Sequence, residues 1–333
     1  IWQELFKEQG IEAKAVDFSE NDGMQGGRIF YYDEKKNWWS RAGVPGAMPL
    51  GEPGGPDSEM FWDFGEELKL HGNSPFKNAP CHVNCDCGRF LEIGNNVFVE
   101  YIKTEKGFEF LPQKNVDFGG GLERVAMAKN DKPDIFLIDV FVPVLKVIEN
   151  LSGKKYLNEN KPAFRVIMDH LRAATFLIGD GVFPSNKDQG YFTRRLIRRA
   201  VRFAHELGIK ENFCAKIASS IIEAYKDVYP NLPESKETIF SELEKEEEKF
   251  RNTLEVGLKQ FELKIFARGV KGDGNFRTLG EAEKERDKIL ANRIYEIAFD
   301  LFQTYGFPLE MIIEEAKARN IPIDENILKE RSN

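Results

Sequence analysis

No apolar run in these 333 residues approaches the ~18 that a membrane-spanning helix needs. The sequence is therefore read as soluble, with no membrane partner. A secretory signal is not expected either, because the first ten residues, IWQELFKEQG, form an amphipathic segment. Cysteine is scarce: there are four, three of them within the seven positions 81–87. That excludes a disulfide framework and points to a reducing compartment, read as the cytoplasm. Positive charge falls short of negative, for a net charge of −8. Such a balance discourages a nucleic-acid partner unless the positive charge is gathered in one place. An initiating methionine is also lacking, since the chain begins at Ile1; a processed chain or a piece of a longer one is expected.

Length and composition leave room for about two domains, and 41% hydrophobic content is enough for real cores. The texture changes once along the chain. Before residue 132 there are strand patterns. Arg28–Tyr32, Asn96–Ile102 and Phe108–Leu111 are rich in β-branched and aromatic residues, and the last two are expected to pair across the turn at 103–107. Trp2, Leu5 and Phe6 mark one face of a helix ahead of them. After residue 133, amphipathic helices are expected over 135–151, 163–179, 191–207, 212–229, 234–268 and 289–304. The expected fold class is thus α+β, with a sheet domain over 1–132 and an all-α domain over 133–333. The mixed signs of 234–268 read as a solvated spacer helix.

The two halves meet near NVDFGGGLERVAMAKN, residues 115–130. Gly119, Gly120 and Gly121 remove every β-carbon where a strand ends, so a flat ligand could lie on the backbone. Arg124 follows in the first turn of a helix, where free N–H groups already favour an anion. In the helical half, Arg194, Arg195, Arg198, Arg199 and Arg202 fall within an arc of about 140° on one helix, and no acid occurs between Tyr191 and His205. Five arginines without a local counter-charge point to a phosphate backbone as the shared anion. PCHVNCDCGRF adds Cys81, His82, Cys85 and Cys87, soft ligands that suit tetrahedral zinc or stand as a reduced cysteine-rich loop. Cys81 and His82 are neighbours and do not both bind easily, which brings in His71 as a further ligand.

GGGLERVA resembles the third signature of class II aminoacyl-tRNA synthetases, and VDFGGGLERVA resembles its form in the alanyl-tRNA synthetases. The resemblance extends to Gly55-Pro56-Asp57-Ser58-Glu59 before Met60-Phe61-Trp62-Asp63, to RFLEIGNNVFVEY, to DHLRAATFLIGDGVFPSNKDQGYFTRRLIRRAVR and to Tyr305-Gly306-Phe307-Pro308. It implies a partial antiparallel-sheet catalytic domain followed by a helical tRNA-recognition domain. It also implies the activation of alanine by ATP with Mg²⁺, then transfer to the acceptor end of alanine tRNA. Arg124 and Asp117 are the implied catalytic residues. Arg124, Gly119 and Gly121 hold ATP, and Trp39, Asn95, Asp117 and Gly119 hold alanine, with Asp117 on its ammonium and Asn95 on its carboxylate or carbonyl. Asn186 reads the G·U pair of the acceptor stem, assisted by the arginines and by Gln303, which replaces an aspartate of the family. Gly94 stands where the family has tryptophan. The first two class II signatures and an editing domain are absent, so a fragment, inactive alone, or one half of a split synthetase with a separate N-terminal half is expected. A non-catalytic RNA-binding module is the alternative.

Overall fold

The computed structural model describes residues 1–266, 295–300 and 309–318. Its contacts divide the chain into two units, Ile1–Ile138 and Asp139–Asn333. The first is built on an antiparallel sheet and the second on helices, which is the α+β class. The break expected at 132–133 lies in the turn ahead of a 3-10 helix, Ile135–Leu137, that belongs to the first unit.

In the first unit, α1 (Trp2–Glu8), β1 (Ala15–Asp17), α2 (Ser19–Asp22) and β2 (Ile29–Tyr31) follow one another, and β1 pairs with β2 in parallel. The pattern did not reveal β1, since three residues are too few to show an alternation. The main sheet runs β3 (Trp38–Ser40), β4 (Pro53–Asp63), β5 (Phe90–Thr104), β6 (Gly107–Gly120), each neighbour antiparallel. The β5–β6 hairpin turns through Glu105 and Lys106 between the paired Thr104 and Gly107. The Thr104 hydroxyl accepts from the Lys106 N–H at 3.2 Å and donates to the Gly107 carbonyl at 3.0 Å. Gly107 takes a φ of 112°, a region in which only glycine is unstrained. Both strands are longer than the β-branched runs that mark them, because Glu92, Asn95 and Asp117 alternate with the apolar residues. Across β3, β5 and β6 an aromatic cluster holds the sheet: Trp38 stacks on Tyr101 at 5.9 Å, and Tyr101 on Phe110 at 4.9 Å. After β6 the chain enters α3 (Leu122–Lys129).

The second unit contains α4 (Val142–Ser152), α5 (Lys161–Gly179), α6 (Asp188–Glu206), α7 (Cys214–Tyr225), α8 (Asn231–Glu234), α9 (Lys236–Phe266) and a helix at Leu309–Ala318. Proline in the first turn opens α4 and α5, where a missing N–H costs nothing. Helix was expected from residue 135, but α4 begins only at Val142, because Asp134 caps a separate short turn. On α5, Phe164, Ile167, Leu171, Ala174 and Ile178 recur at helical spacing and are buried.

The expectation of a solvated spacer at 234–268 is overturned. Ile239, Leu243, Phe250, Leu254 and Phe261 on α9 are fully buried. They repeat at intervals of four and seven, a narrow stripe that the abundant charges conceal. Of the segment expected at 289–304, residues 295–300 are helical. Gln303, Tyr305, Gly306, Phe307, Pro308 and Arg268 lie outside the described residues.

α9 also supplies a polar joint. No side chain of its own segment caps α7; instead the fully buried Glu247 carboxylate accepts the Phe213 and Cys214 N–H groups at 3.1 and 2.9 Å. Arg251 neutralises it at 3.0 Å. Glu247→Ala strips a helix N-terminus and an arginine of their only shared anion, and is expected to destabilise the helical unit by about 3 kcal/mol. Urea unfolding followed by circular dichroism measures this. A loss no larger than the ~0.5 kcal/mol of an ordinary surface change would mean that Glu247 does not cap α7.

Candidate functional site

Paired residues of an antiparallel sheet share a face, and the face alternates along each strand. β4 pairs Asp57 with Val97, Glu59 with Asn95 and Phe61 with Glu92 across to β5. β5 pairs Asn95 with Gly119 and Val97 with Asp117 across to β6. One face therefore gathers Asp57, Glu59, Glu92, Asn95, Asp117 and the bare backbone of Gly119. The Asn95 amide nitrogen donates to Asp57 Oδ2 at 3.0 Å. A carboxylate can only accept, so the amide orientation is determined. Asn95 Oδ1 is left buried and without a hydrogen-bond partner, an acceptor aimed into the site.

Arg124 closes one end of this face. It sits in the first turn of α3 after the N-cap Gly121, and its Nη1 donates at 2.8 Å both to the Glu92 carbonyl oxygen and to the Glu92 carboxylate. Among the described residues its Nε and Nη2 have no partner. Two glycines of the run differ in purpose. A β-carbon on Gly121 would come within 2.7 Å of Arg124 Nε, whereas one on Gly119 would meet nothing within 4 Å. Gly121 thus serves the folding of Arg124, and Gly119 leaves open surface. Gly94 faces the other way: its β-carbon position is filled by Met60 at 2.8 Å and the Phe118 ring at 3.0 Å. The missing tryptophan therefore belongs to the back of the sheet.

Asp117 is exposed, as is Trp39 on the short strand β3. It is Trp38 that joins the aromatic cluster, with its Nε1–H on Met48 Sδ at 3.3 Å. Glu59, Glu92 and Asp57 were not singled out by chemistry in the sequence. Their signal was available, since Asp57 and Glu59 are two apart on a strand and Glu92 precedes Asn95 on its partner. Burial, and then the neighbouring Asp57 and Glu92 carboxylates, push Glu59 up from its ordinary 4.5 to about 7, with Lys36 and Arg124 only partly offsetting them.

In the helical unit the loop that carries Asn186 is exposed and stitched to α6. Ser185 N–H donates to the Gly190 carbonyl at 3.0 Å, and Thr193 Oγ1 donates to the Val182 carbonyl at 3.0 Å. Gly190, which the pattern did not mark, permits this: a β-carbon there would strike Ser185 Oγ at 2.3 Å. Arg194 donates to Asn186 Oδ1.

The arginine face is not without counter-charge, and that expectation is corrected. Arg198 and Arg194 meet Glu246 of α9 at 2.6 and 3.4 Å. Arg199 meets Glu314 at 3.1 Å, and Arg202 meets Glu314 and Glu315 at 3.1 and 3.0 Å. Arg202 is buried, and the other four, Arg195 included, are half-buried. The acids come from helices distant in sequence, so a local count of charges missed them.

The cysteine cluster assembles with one change of member. Ligand atoms of His71, Cys85 and Cys87 lie within 4.8 Å of one another, and Cys81 Sγ is 4.0 Å from Cys87 Sγ. His82, expected among the ligands, is turned away: its Nδ1 meets the Tyr32 hydroxyl at 2.9 Å. Being next to Cys81, it points to the opposite side of the chain. Among the described residues, no helix is long and apolar enough to cross a membrane.

The family described as tRNA synthetases class II (A) matches residues 1–332. Among curated proteins, the alanine–tRNA ligase of Borreliella afzelii (strain PKo) is 38% identical over 317 residues, covering 92% of this chain and 47% of the relative. That of Leptospira biflexa serovar Patoc is 37% identical over 332 residues, covering 99% and 33%. That of Exiguobacterium sibiricum is 37% identical over 310 residues, covering 89% and 33%. The chain thus spans about a third to a half of the length of the relatives it matches.

The geometry around Glu59 has a measurable consequence. Its acid form is favoured by folding, so it contributes stability that is whole below its unfolded value of 4.5 and is lost as pH rises through about 7. Glu59→Gln should therefore gain on the parent across that window and be the more stable protein above it. Thermal unfolding of both across the window is the check, and a pH-independent difference would refute the crowding of carboxylates on this face.

Proposed function

This chain belongs to the class II tRNA synthetases, and from that premise we propose that it carries the part of an alanine–tRNA ligase that completes the amino-acid site and meets the tRNA acceptor stem. The observation that carries the reading is the sheet face itself. An amide, four acids and an arginine converge beside a glycine-lined strand end, in a chain whose relatives are alanine–tRNA ligases.

The reaction joins alanine to the α-phosphate of ATP, releasing pyrophosphate, and then passes the alanyl group to a ribose hydroxyl at the end of the tRNA. It calls for alignment and charge stabilisation more than for proton transfer. Asp117 pairs with the alanine ammonium. Asn95, with one N–H on Asp57, offers its unpartnered Oδ1 as an acceptor to that ammonium. This differs from the role that the resemblance implies. Gly119 lets the ligand lie against bare backbone, and Trp39 walls the pocket. Arg124 keeps Nη1 on Glu92 and turns Nε and Nη2 to phosphate oxygens, with Gly121 giving it room. Mg²⁺ would neutralise charge on the phosphates when bound, and Asp57, Glu59 and Glu92 are the acids of this face that could hold it. The first two class II signatures, on this or a separate polypeptide, complete the site.

Asn186 reads the G·U pair by its side-chain amide in the shallow groove of A-form RNA, held by Arg194. Arg198, Arg199 and Arg202 stiffen the helix behind it and meet the phosphate backbone only where RNA competes with Glu246, Glu314 and Glu315, while Arg195 shares their face. Gln303 assists. Retention of Asp117 and Arg124 favours the ligase over a non-catalytic RNA-binding module, which needs neither.

Two experiments test this reading. An alanine acceptor-stem minihelix with G·U should bind more tightly than one with G·C, and Asn186→Ala should remove the difference. Equal binding of the two by the parent chain would remove Asn186 from base reading. In the longer protein, Asp117→Ala should abolish alanine-dependent pyrophosphate exchange, and exchange at the parent rate would refute the ammonium role.

A further inference from the structure

We propose that His71, Cys81, Cys85 and Cys87 form a tetrahedral structural zinc site that knots the connection between β4 and β5. The distances suit the ion. Zinc bonds sulfur at about 2.3 Å and imidazole nitrogen at about 2.0–2.1 Å, so a tetrahedron sets two sulfurs about 3.8 Å apart and a sulfur and a nitrogen about 3.5 Å apart. His71, Cys85 and Cys87 lie within 4.8 Å of one another, with Cys85 Sγ and His71 Nδ1 3.6 Å apart, and Cys81 joins this trio through Cys87, Sγ to Sγ at 4.0 Å.

The tautomer of His71 is a separate observation pointing the same way. Its Nε2 lies 3.0 Å from the Ala79 carbonyl oxygen. A carbonyl can only accept, so Nε2 carries the proton and Nδ1 presents a lone pair toward the sulfurs. A metal-bound histidine needs this arrangement: one nitrogen for the ion and the other anchored to an acceptor behind it. Without an ion the Nδ1 lone pair has only the weak Cys85 thiol donor at 3.6 Å, whereas an ion would take His71, Cys85 and Cys87 together, with Cys81 as the fourth ligand beside Cys87. On binding, the three thiols release their protons and the neutral imidazole releases none.

The segment also needs such a knot. From Phe64 to Arg89 it contains neither helix nor strand, and its buried apolar side chains are Phe64, Cys85 and Cys87 alone. A stretch without a core of its own is held by staples. Its base is already clamped, since Arg89 grips Asp63 at 2.7 and 2.8 Å and Glu66 at 2.8 Å. Its far part is tied to the N-terminal segment through His82, Tyr32 just after β2 and Ser19 at the start of α2, with Tyr32 OH 2.6 Å from Ser19 Oγ. The ion fixes the middle, and His82 belongs to the support.

The test is the metal content of the chain purified without chelator under reducing conditions, by plasma mass spectrometry. One zinc per chain is expected. Cys85→Ser should lose it, because a lost ligand costs at least the ~10-fold in affinity that even supporting residues cost. His71→Cys, which supplies another soft ligand, and His82→Ala should both keep it. Should Cys85→Ser fail to fold, the parent chain stripped of metal and refilled with cobalt carries the test, by the visible absorption of a tetrahedral thiolate site. A metal-free chain with no such cobalt spectrum, a Cys81–Cys87 disulfide in the native protein, or zinc kept in Cys85→Ser but lost in His82→Ala would each overturn the proposal. None of these readouts depends on alanine or tRNA.

Discussion

The register between β4 and β5 is the constraint on which the candidate site depends. A slip of one residue would move every side chain of a strand to the other face of the sheet. Asp57 and Glu59 would then lie with Met60 and Phe118, and Asn95 would lose its carboxylate partner. Two irregularities keep the register local, one between Gly54 and Asp57 and one between Met60 and Phe61. The second brings Glu92 onto the same face as Glu59, although the strands would otherwise carry it one position away. The hydrogen bond from Asn95 to Asp57 then does two things at once. It pins the pairing on the site face, and it fixes the amide orientation so that the unpartnered Oδ1 is left as an acceptor. Structure and recognition share one bond there.

The helical unit rests on ion pairs that cross long distances in the chain. Glu246 alone answers Arg194 and Arg198, and Glu247, one residue on, faces Arg251 and the start of α7. Adjacent residues on a helix point about 100° apart, so the two glutamates of α9 serve two different neighbours. The price of removing charge from water is met here by geometry: each carboxylate has at least one partner within 3.1 Å. For nucleic-acid binding the consequence is a limit. A phosphate meeting Arg198 or Arg202 would have to displace a carboxylate, so fewer counterions would be released than five free arginines would give, and any dependence on salt would be correspondingly shallower.

Much of this was legible in the sequence, and what was not has a common physical origin. The β5–β6 hairpin, the glycine run opening α3, and α5 and α6 all follow from local periodicity and turn chemistry. Errors arose where long-range partners decide. The arginine face read as uncompensated because Glu246, Glu314 and Glu315 lie on other helices. The spacer reading of α9 failed because its charges outnumber a stripe only five side chains wide. Of the two histidines read with the cysteine cluster, His71 is in it, and His82 is drawn off by the distant Tyr32 hydroxyl. Glu59 and Glu92 went unmarked although each lies in a segment that was read, because a carboxylate gains meaning only when its cross-strand neighbours are known.

A net charge of −8 is therefore a poor guide to what this chain presents. Several of its acids are internal: Glu246 and Glu247 are buried, and Glu314 and Glu315 are largely covered by the arginines they bind. Each internal pair cancels an acid against a base, so the pairs leave the net charge unchanged while removing both signs from the surface. The candidate site works by the opposite rule. On the sheet face the acids stand together with Arg124 as the only arginine, and burial makes their mutual repulsion expensive enough to raise Glu59 to about 7. A cation, whether an ammonium or a divalent metal ion, would relieve such crowding. The acids that face the α6 arginines are thus paired, whereas those around Glu59 are only partly offset by Lys36 and Arg124.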